Sequence, residues 1–131
     1  MSICGKKIPV TRVAVLVAVF LIAGLASVMT KPRAREITIV AKDMAFYVEG
    51  DSAPNPVIEA KPGEMLRVIL RNRDRGMTHD FAVPTAKAAT DALIWNEEDS
   101  VTFEVPAEPG VYEYVCRPHL LMMKGTLKVN P

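Results

Sequence analysis

Beyond residue 35 the chain alternates apolar and polar side chains in short runs separated by proline and glycine, the period-two pattern of half-buried strands. Residues 36–41 read as a first strand, and Phe46, Tyr47 and Val48 as a second, short or at an edge. Residues 51–56, with Pro54 and Pro56, form a loop, and 57–60 lead into Lys61-Pro62-Gly63-Glu64, the residue order of a type II turn. In 65–70, Leu66, Val68 and Leu70 share one face, with Arg67 and Ile69 on the other. Residues 71–76 are a charged loop, read either as a solvated turn or as a basic rim facing an acidic partner. Residues 79–83 predict a strand with His79, Phe81 and Val83 on one face, ended by Pro84. The stretch 86–94 lacks alternation and predicts a helical turn or two, and 96–99 predict a turn. Val101, Phe103 and Val105 alternate inward, as do Tyr112, Tyr114 and Cys116, and 125–129 close the chain. Many short strands with one doubtful helix predict an all-β sandwich.

One segment has a different pattern. Residues 13–29 carry no charge, and Lys6, Lys7 and Arg12 precede them, so the N-terminus is expected to stay cytoplasmic. As a helix the run spans about 25 Å, slightly short of a ~30 Å hydrocarbon core, a gap that Arg12 and Lys31 can close by snorkelling. The domain plan is therefore a membrane anchor or signal peptide at 1–30, a tether at 31–35, and one folded domain at 36–131. The alternative is a signal peptide cleaved after about Ala26, where Gly24 and Ala26 supply the small residues. Either route exports the domain.

Of the 16 basic residues, three precede residue 31, which leaves 13 against 15 acids in the exported part. That near-neutral balance offers no footprint for nucleic acid. The two cysteines, Cys4 and Cys116, fall on opposite sides of the apolar run, so the folded part has one thiol and no internal disulfide. A lone thiol exported to an oxidising compartment is a liability unless buried or ligated.

The chemistry gathers at Cys116-Arg117-Pro118-His119-Leu120-Leu121-Met122-Met123, where a thiol, an imidazole and two thioethers fall within eight residues. These soft and borderline donors suit copper in both biological oxidation states. His79, far upstream, is the only other histidine and would tie the loop to a distant strand. His79, Cys116, His119 and one of Met122 or Met123 are therefore the expected ligands of a single copper ion. Zinc fits less well, because structural zinc sites pair their ligands as C-x₂₋₄-C or H-x₃₋₅-H, and neither pair occurs.

At these residues the chain resembles the cupredoxins, small blue copper proteins of the plastocyanin, amicyanin and pseudoazurin type. Gly110-Val111-Tyr112-Glu113-Tyr114-Val115-Cys116-Arg117-Pro118-His119 resembles the family's G-x-Y-x-[YF]-x-C-x-P-H segment, and Thr78-His79-Asp80-Phe81 its upstream H-N motif. The resemblance implies a cupredoxin-like Greek-key β-sandwich, preceded here by one hydrophobic N-terminal helix. It also implies His79, Cys116 and His119 as equatorial ligands with a later Met as axial. Met122 keeps an amicyanin-like gap after His119, whereas Met123 keeps the Met-x-Gly ending with Gly125, which favours Met123. Asp80 stands where the family has Asn, and Arg117 where a small Ser or Thr follows the Cys. A charge-assisted Asp80–Arg117 bond would replace the family's brace between the two ligand segments. Leu120 and Leu121 are a candidate docking surface beside His119, or else core.

The function expected is a one-electron carrier between exported redox partner proteins, held at the membrane by its N-terminal segment. It is not an enzyme on this reading, and no small-molecule substrate is expected. The alternatives are a catalytic non-blue copper protein, in which water or a carboxylate such as Glu59 or Glu64 replaces Met, and a copper-delivery protein using Met77, Met122 and Met123.

Overall fold

The computed structural model describes residues 32–131 together with Thr30. The anchor expected over 13–29 lies outside the described residues, and among the described residues no helix is long and apolar enough to cross a membrane. Among the described residues nine strands follow in order: β1 (Arg35–Lys42), β2 (Ala45–Val48), β3 (Ile58–Ala60), β4 (Met65–Asn72), β5 (Ala82–Val83), β6 (Ala88–Ala89), β7 (Glu98–Glu104), β8 (Gly110–Val115) and β9 (Lys124–Val129). They form a four-stranded sheet ordered β2-β1-β4-β7 and a five-stranded sheet ordered β3-β9-β8-β5-β6. The pairs β1–β4 and β3–β9 are parallel, and every other pair is antiparallel.

The inward faces of the two sheets share one apolar core. Ile39 and Ala41 of β1, Leu66, Val68 and Leu70 of β4, and Phe103 of β7 meet Ile58, Val83, Tyr114, Leu127 and Val129 from the other sheet. The alternation read for 65–70 is realised in full, since Leu66, Val68 and Leu70 are all buried. Burying each such side chain stabilises the fold by roughly 1.5–3 kcal/mol. Phe46, Phe81 and Tyr114 pack as an aromatic trio, with Phe81 stacked on Tyr114 at 5.1 Å and Phe46 tilted against it at 5.6 Å. The turn at Lys61–Glu64 also forms as read: Gly63 takes φ 69° and the Glu64 N–H donates to the Lys61 carbonyl.

Four local expectations give way. Strand β4 continues through Arg71 and Asn72 rather than ending in a loop, because both stay in register with β1. The helical turns expected over 86–94 shrink to one 3₁₀ turn at Pro84–Ala86, after which Lys87 takes a left-handed conformation and β6 follows. Thr90 decides that outcome: its N–H donates to the Phe81 carbonyl and its hydroxyl accepts the Phe81 N–H. These bonds tie the segment to 79–83 in extended form and outweigh alanine's helical preference. The strand expected over 79–83 is regular only at β5, while His79 forms an isolated bridge to Leu93. β7 begins at Glu98, so the turn expected at 96–99 is shorter.

Candidate metal centre

Strand β8 delivers the first donor. Cys116 follows its last residue, fully buried, and a 3₁₀ turn over Arg117–His119 starts there, with Pro118 in its first positions. Proline suits that place because its fixed φ is preset for the turn and the missing N–H would have no partner there. The turn rotates His119 back over the thiol, and the His119 N–H donates to the Cys116 carbonyl. The loop closes where the Cys116 N–H donates to the Met123 carbonyl. β9 then returns antiparallel, pairing Lys124 with Val115.

The second histidine arrives from the other side. His79 is fully buried, and its backbone exchanges two hydrogen bonds with Leu93, at 3.0 and 2.8 Å. The loop before it is wound around the buried amide of Asn72, which donates to the carbonyls of Met77 and Leu93. His79, Cys116 and His119 each aim a ligating atom at one point, and these atoms lie within 4.8 Å of one another. The Cys116 Sγ stands 3.7 Å from His79 Nδ1 and 3.5 Å from His119 Nδ1.

These edges fit an ion. With metal–sulfur and metal–nitrogen bonds of about 2.3 and 2.0 Å, ligand angles near 110–120° put sulfur and nitrogen about 3.5–3.7 Å apart. One thiolate and two imidazoles form a trigonal set of the copper type, needing only a weak axial partner. Of the two methionines, Met123 is fully buried and part of the core, whereas Met122 is 61% exposed.

Burial sets the electrostatics of the two fully buried donors. Burial pushes the Cys116 thiol above its usual range, chiefly through desolvation of the thiolate. Desolvation also holds His79 below the ordinary imidazole value, against the opposing hydrogen bond to Asp74. A buried thiol beside the desolvated His79 imidazole loses its proton when a metal binds.

Residues 32–130 match the family described as copper binding proteins, plastocyanin/azurin family. The chain belongs to this family. His79, Cys116 and His119, with the buried Met123, form its candidate copper site. Among solved structures, this cupredoxin is similar to auracyanin B, at 26% identity and TM-score 0.60, over 81% of this chain and 96% of that one. It is similar in fold to auracyanin A from Chloroflexus aurantiacus, at 20% identity and TM-score 0.58, over 75% and 100%. A copper nitrite reductase from Nitrosomonas europaea shares the fold at 20% identity and TM-score 0.59, over 76% of this chain and 42% of that one. No curated protein sequence matches the chain.

The remaining candidates fall as follows. Asp80 and Arg117 do meet: Asp80 Oδ1 accepts the Arg117 N–H at 2.7 Å, and Oδ2 accepts from Arg117 Nε at 2.5 Å. Arg117 also donates to the Thr90 carbonyl, so three segments are joined. Leu120 and Leu121 are both exposed, Leu121 at 95%, and neither belongs to the core. Glu59 pairs in register with Lys128 and Glu64 binds Arg35, towards the end of β9 remote from Cys116. Neither carboxylate belongs to the donor cluster. The arginines of 71–76 are engaged within the cupredoxin itself: Arg71 with Glu49 and Glu98, Arg73 with Asn96, and Arg75 over the Trp95 ring. Asp74, which sequence reasoning passed over, places its Oδ2 3.1 Å from His79 Nε2. A lone acid among three arginines, five residues before the histidine, was its one visible signal.

Proposed function

We propose that this cupredoxin is a one-electron carrier with a type 1 copper centre, equatorial His79, Cys116 and His119, and axial Met123. The observation that carries the reading is the convergence of three donor atoms of the right kinds within 4.8 Å, on a buried frame that is half-open at His119 alone. Copper bound there would supply a Cu(II)/Cu(I) couple. The chain's part is to hold the donors still, so that little reorganises when the charge changes. Cys116 and His119 are clamped by the hydrogen bonds that close their loop, and His79 by its bridge to Leu93.

His119 is the only one of the three donors with solvent access, and the exposed Leu120, Leu121 and Met122 follow it directly in sequence. This apolar surface excludes water when a redox partner protein docks, bringing a donor or acceptor close to the imidazole edge. Burial of Cys116, His79 and Met123 supports a retained ion over a delivered one. The distance of Glu59 and Glu64 from the cluster supports thioether over carboxylate ligation. Export and anchoring by residues 13–29, or cleavage after Ala26, complete the proposal and are read from the sequence alone. Fractionation of cells and N-terminal sequencing of the mature chain separate those two fates.

The test is a visible absorption and EPR spectrum of the full-length chain, in mild detergent, after one equivalent of Cu(II). An intense thiolate-to-copper band with narrow copper hyperfine splitting is expected. A weak band with ordinary splitting overturns the carrier reading in favour of a catalytic or delivery site.

A further inference from the structure

The carboxylate of Asp74 lies directly behind the buried histidine, on the side away from the donor cluster. Its Oδ2 stands 3.1 Å from His79 Nε2, while His79 Nδ1 faces the Cys116 sulfur. A neutral imidazole has one N–H, and a carboxylate that takes it at Nε2 leaves the Nδ1 lone pair pointing into the site. The same Oδ2 accepts the N–H of Met44 at 3.2 Å. Met44 belongs to the turn between β1 and β2, where Asp43 and Met44 take φ of 51° and 58°. Side chains other than glycine rarely adopt that left-handed conformation, and here it aims the Met44 N–H at Asp74. The carboxylate is fixed from its own backbone too, since the Asp74 N–H donates to Asn72 Oδ1 at 2.8 Å. Three segments thus converge to hold one acid in place, and its side chain is largely buried.

We propose that Asp74 is a positioning residue for the metal, setting the tautomer of His79 and placing a negative charge behind it that favours Cu(II) over Cu(I). This inference rests on the copper reading above. An anion on the far nitrogen makes an imidazole a stronger donor, and outer partners of this kind are worth about 10–100-fold in metal affinity. The more highly charged ion gains more from a nearby anion than the less charged one. Asp74 therefore lowers the reduction potential, acting through His79 without touching the metal.

The experiment uses full-length chain as wild type, Asp74→Asn and Asp74→Ala. The tautomer is read by long-range proton–nitrogen NMR correlations of the His79 ring in metal-free protein, and the Cu(II)/Cu(I) affinity ratio by redox titration. Wild type is expected to carry its proton on Nε2. Asp74→Asn keeps an acceptor but loses the charge, so the ratio should fall about tenfold, equivalent to a rise of about 59 mV for one electron. Asp74→Ala should lose the tautomer preference as well. An Nδ1 proton in wild type, or a ratio in Asp74→Asn within twofold of wild type, overturns the proposal. If Asp74→Asn does not fold, the wild-type tautomer decides alone. A wild type that gives no blue spectrum refutes the copper reading instead, while the metal-free tautomer still tests the Asp74–His79 contact.

Discussion

Gly125→Ala should be among the most damaging single-methyl changes available in this cupredoxin. Gly125 lies opposite Tyr114 in the β8–β9 pair, and the tyrosine ring covers the space where a side chain would stand. A Cβ there would fall 2.7 Å from Tyr114 Cε1 and closer still to Cζ and the hydroxyl. Ordinary carbon contacts are about 3.5–4.0 Å, so the ring must retreat by the better part of an ångström or more. It has nowhere to go. The ring is fully buried between Phe81 and Phe46, and its hydroxyl donates to the Pro56 carbonyl at 2.5 Å. Retreat forfeits that buried hydrogen bond, worth about 1 kcal/mol, and part of two aromatic contacts, each about 0.5–1.5 kcal/mol. Overpacking strain of about 1–3 kcal/mol covers much of the same loss, which puts the total near 3 kcal/mol. The assay is urea unfolding of a double-mutant cycle with Tyr114→Leu, which removes the ring atoms that the methyl meets. Tyr114→Leu alone should cost about 3 kcal/mol as a large-to-small core change, and much less when Gly125→Ala is already present. The coupling energy should exceed ~1.5 kcal/mol; additivity within about 0.5 kcal/mol would refute the steric account.

Four further outcomes are expected. Met123→Leu should alter the visible band and raise the potential, at a folding cost below about 1.5 kcal/mol for a volume-conserving swap, while Met122→Leu leaves the spectrum unchanged; the same titration of both variants checks this. Asp80→Asn keeps the bond to the Arg117 N–H but loses the charge facing Arg117 Nε, so stability should fall by about 1 kcal/mol and the potential should shift. Unfolding midpoints and redox titration read these two effects, and a variant identical to wild type in both means the pair braces nothing. The Arg35 guanidinium beside Glu64 holds that carboxyl below its usual range. Its stabilisation is therefore present above the unfolded carboxylate pKa and lost as pH falls through the lower folded value. Solvent screening limits it to less than about 1 kcal/mol; Glu64→Gln should be destabilised at neutral pH and match wild type in strong acid, as urea midpoints across that range would report. Leu121→Asp should leave spectrum and stability intact, because the side chain is 95% exposed, yet slow electron transfer to a docking partner in stopped-flow assays.

Much of this protein was decided by short-range pattern. The alternation at Leu66, Val68 and Leu70, the type II turn at Pro62 and Gly63, and the spacing of Cys116, Pro118 and His119 are local properties, because a strand's side-chain period and a turn's backbone preferences act within a few residues. Donor chemistry was legible for the same reason: a thiol, imidazoles and thioethers keep their preferences wherever they stand. The preference for Met123 over Met122 rested in sequence on the Met-x-Gly ending alone, and only the fold shows which of the two turns towards the core. Tertiary contacts also overruled local preference at 86–94, where hydrogen bonds between Thr90 and Phe81 outweigh helical tendency. Asp74 shows the same limit most clearly. In sequence it is one charge in a charged loop, and only the folding of Asn72 and the Met44 turn around it places its carboxylate against His79. The Met44–Asp74 contact joins residues 30 positions apart, and local pattern carries no information about which distant segment will meet which.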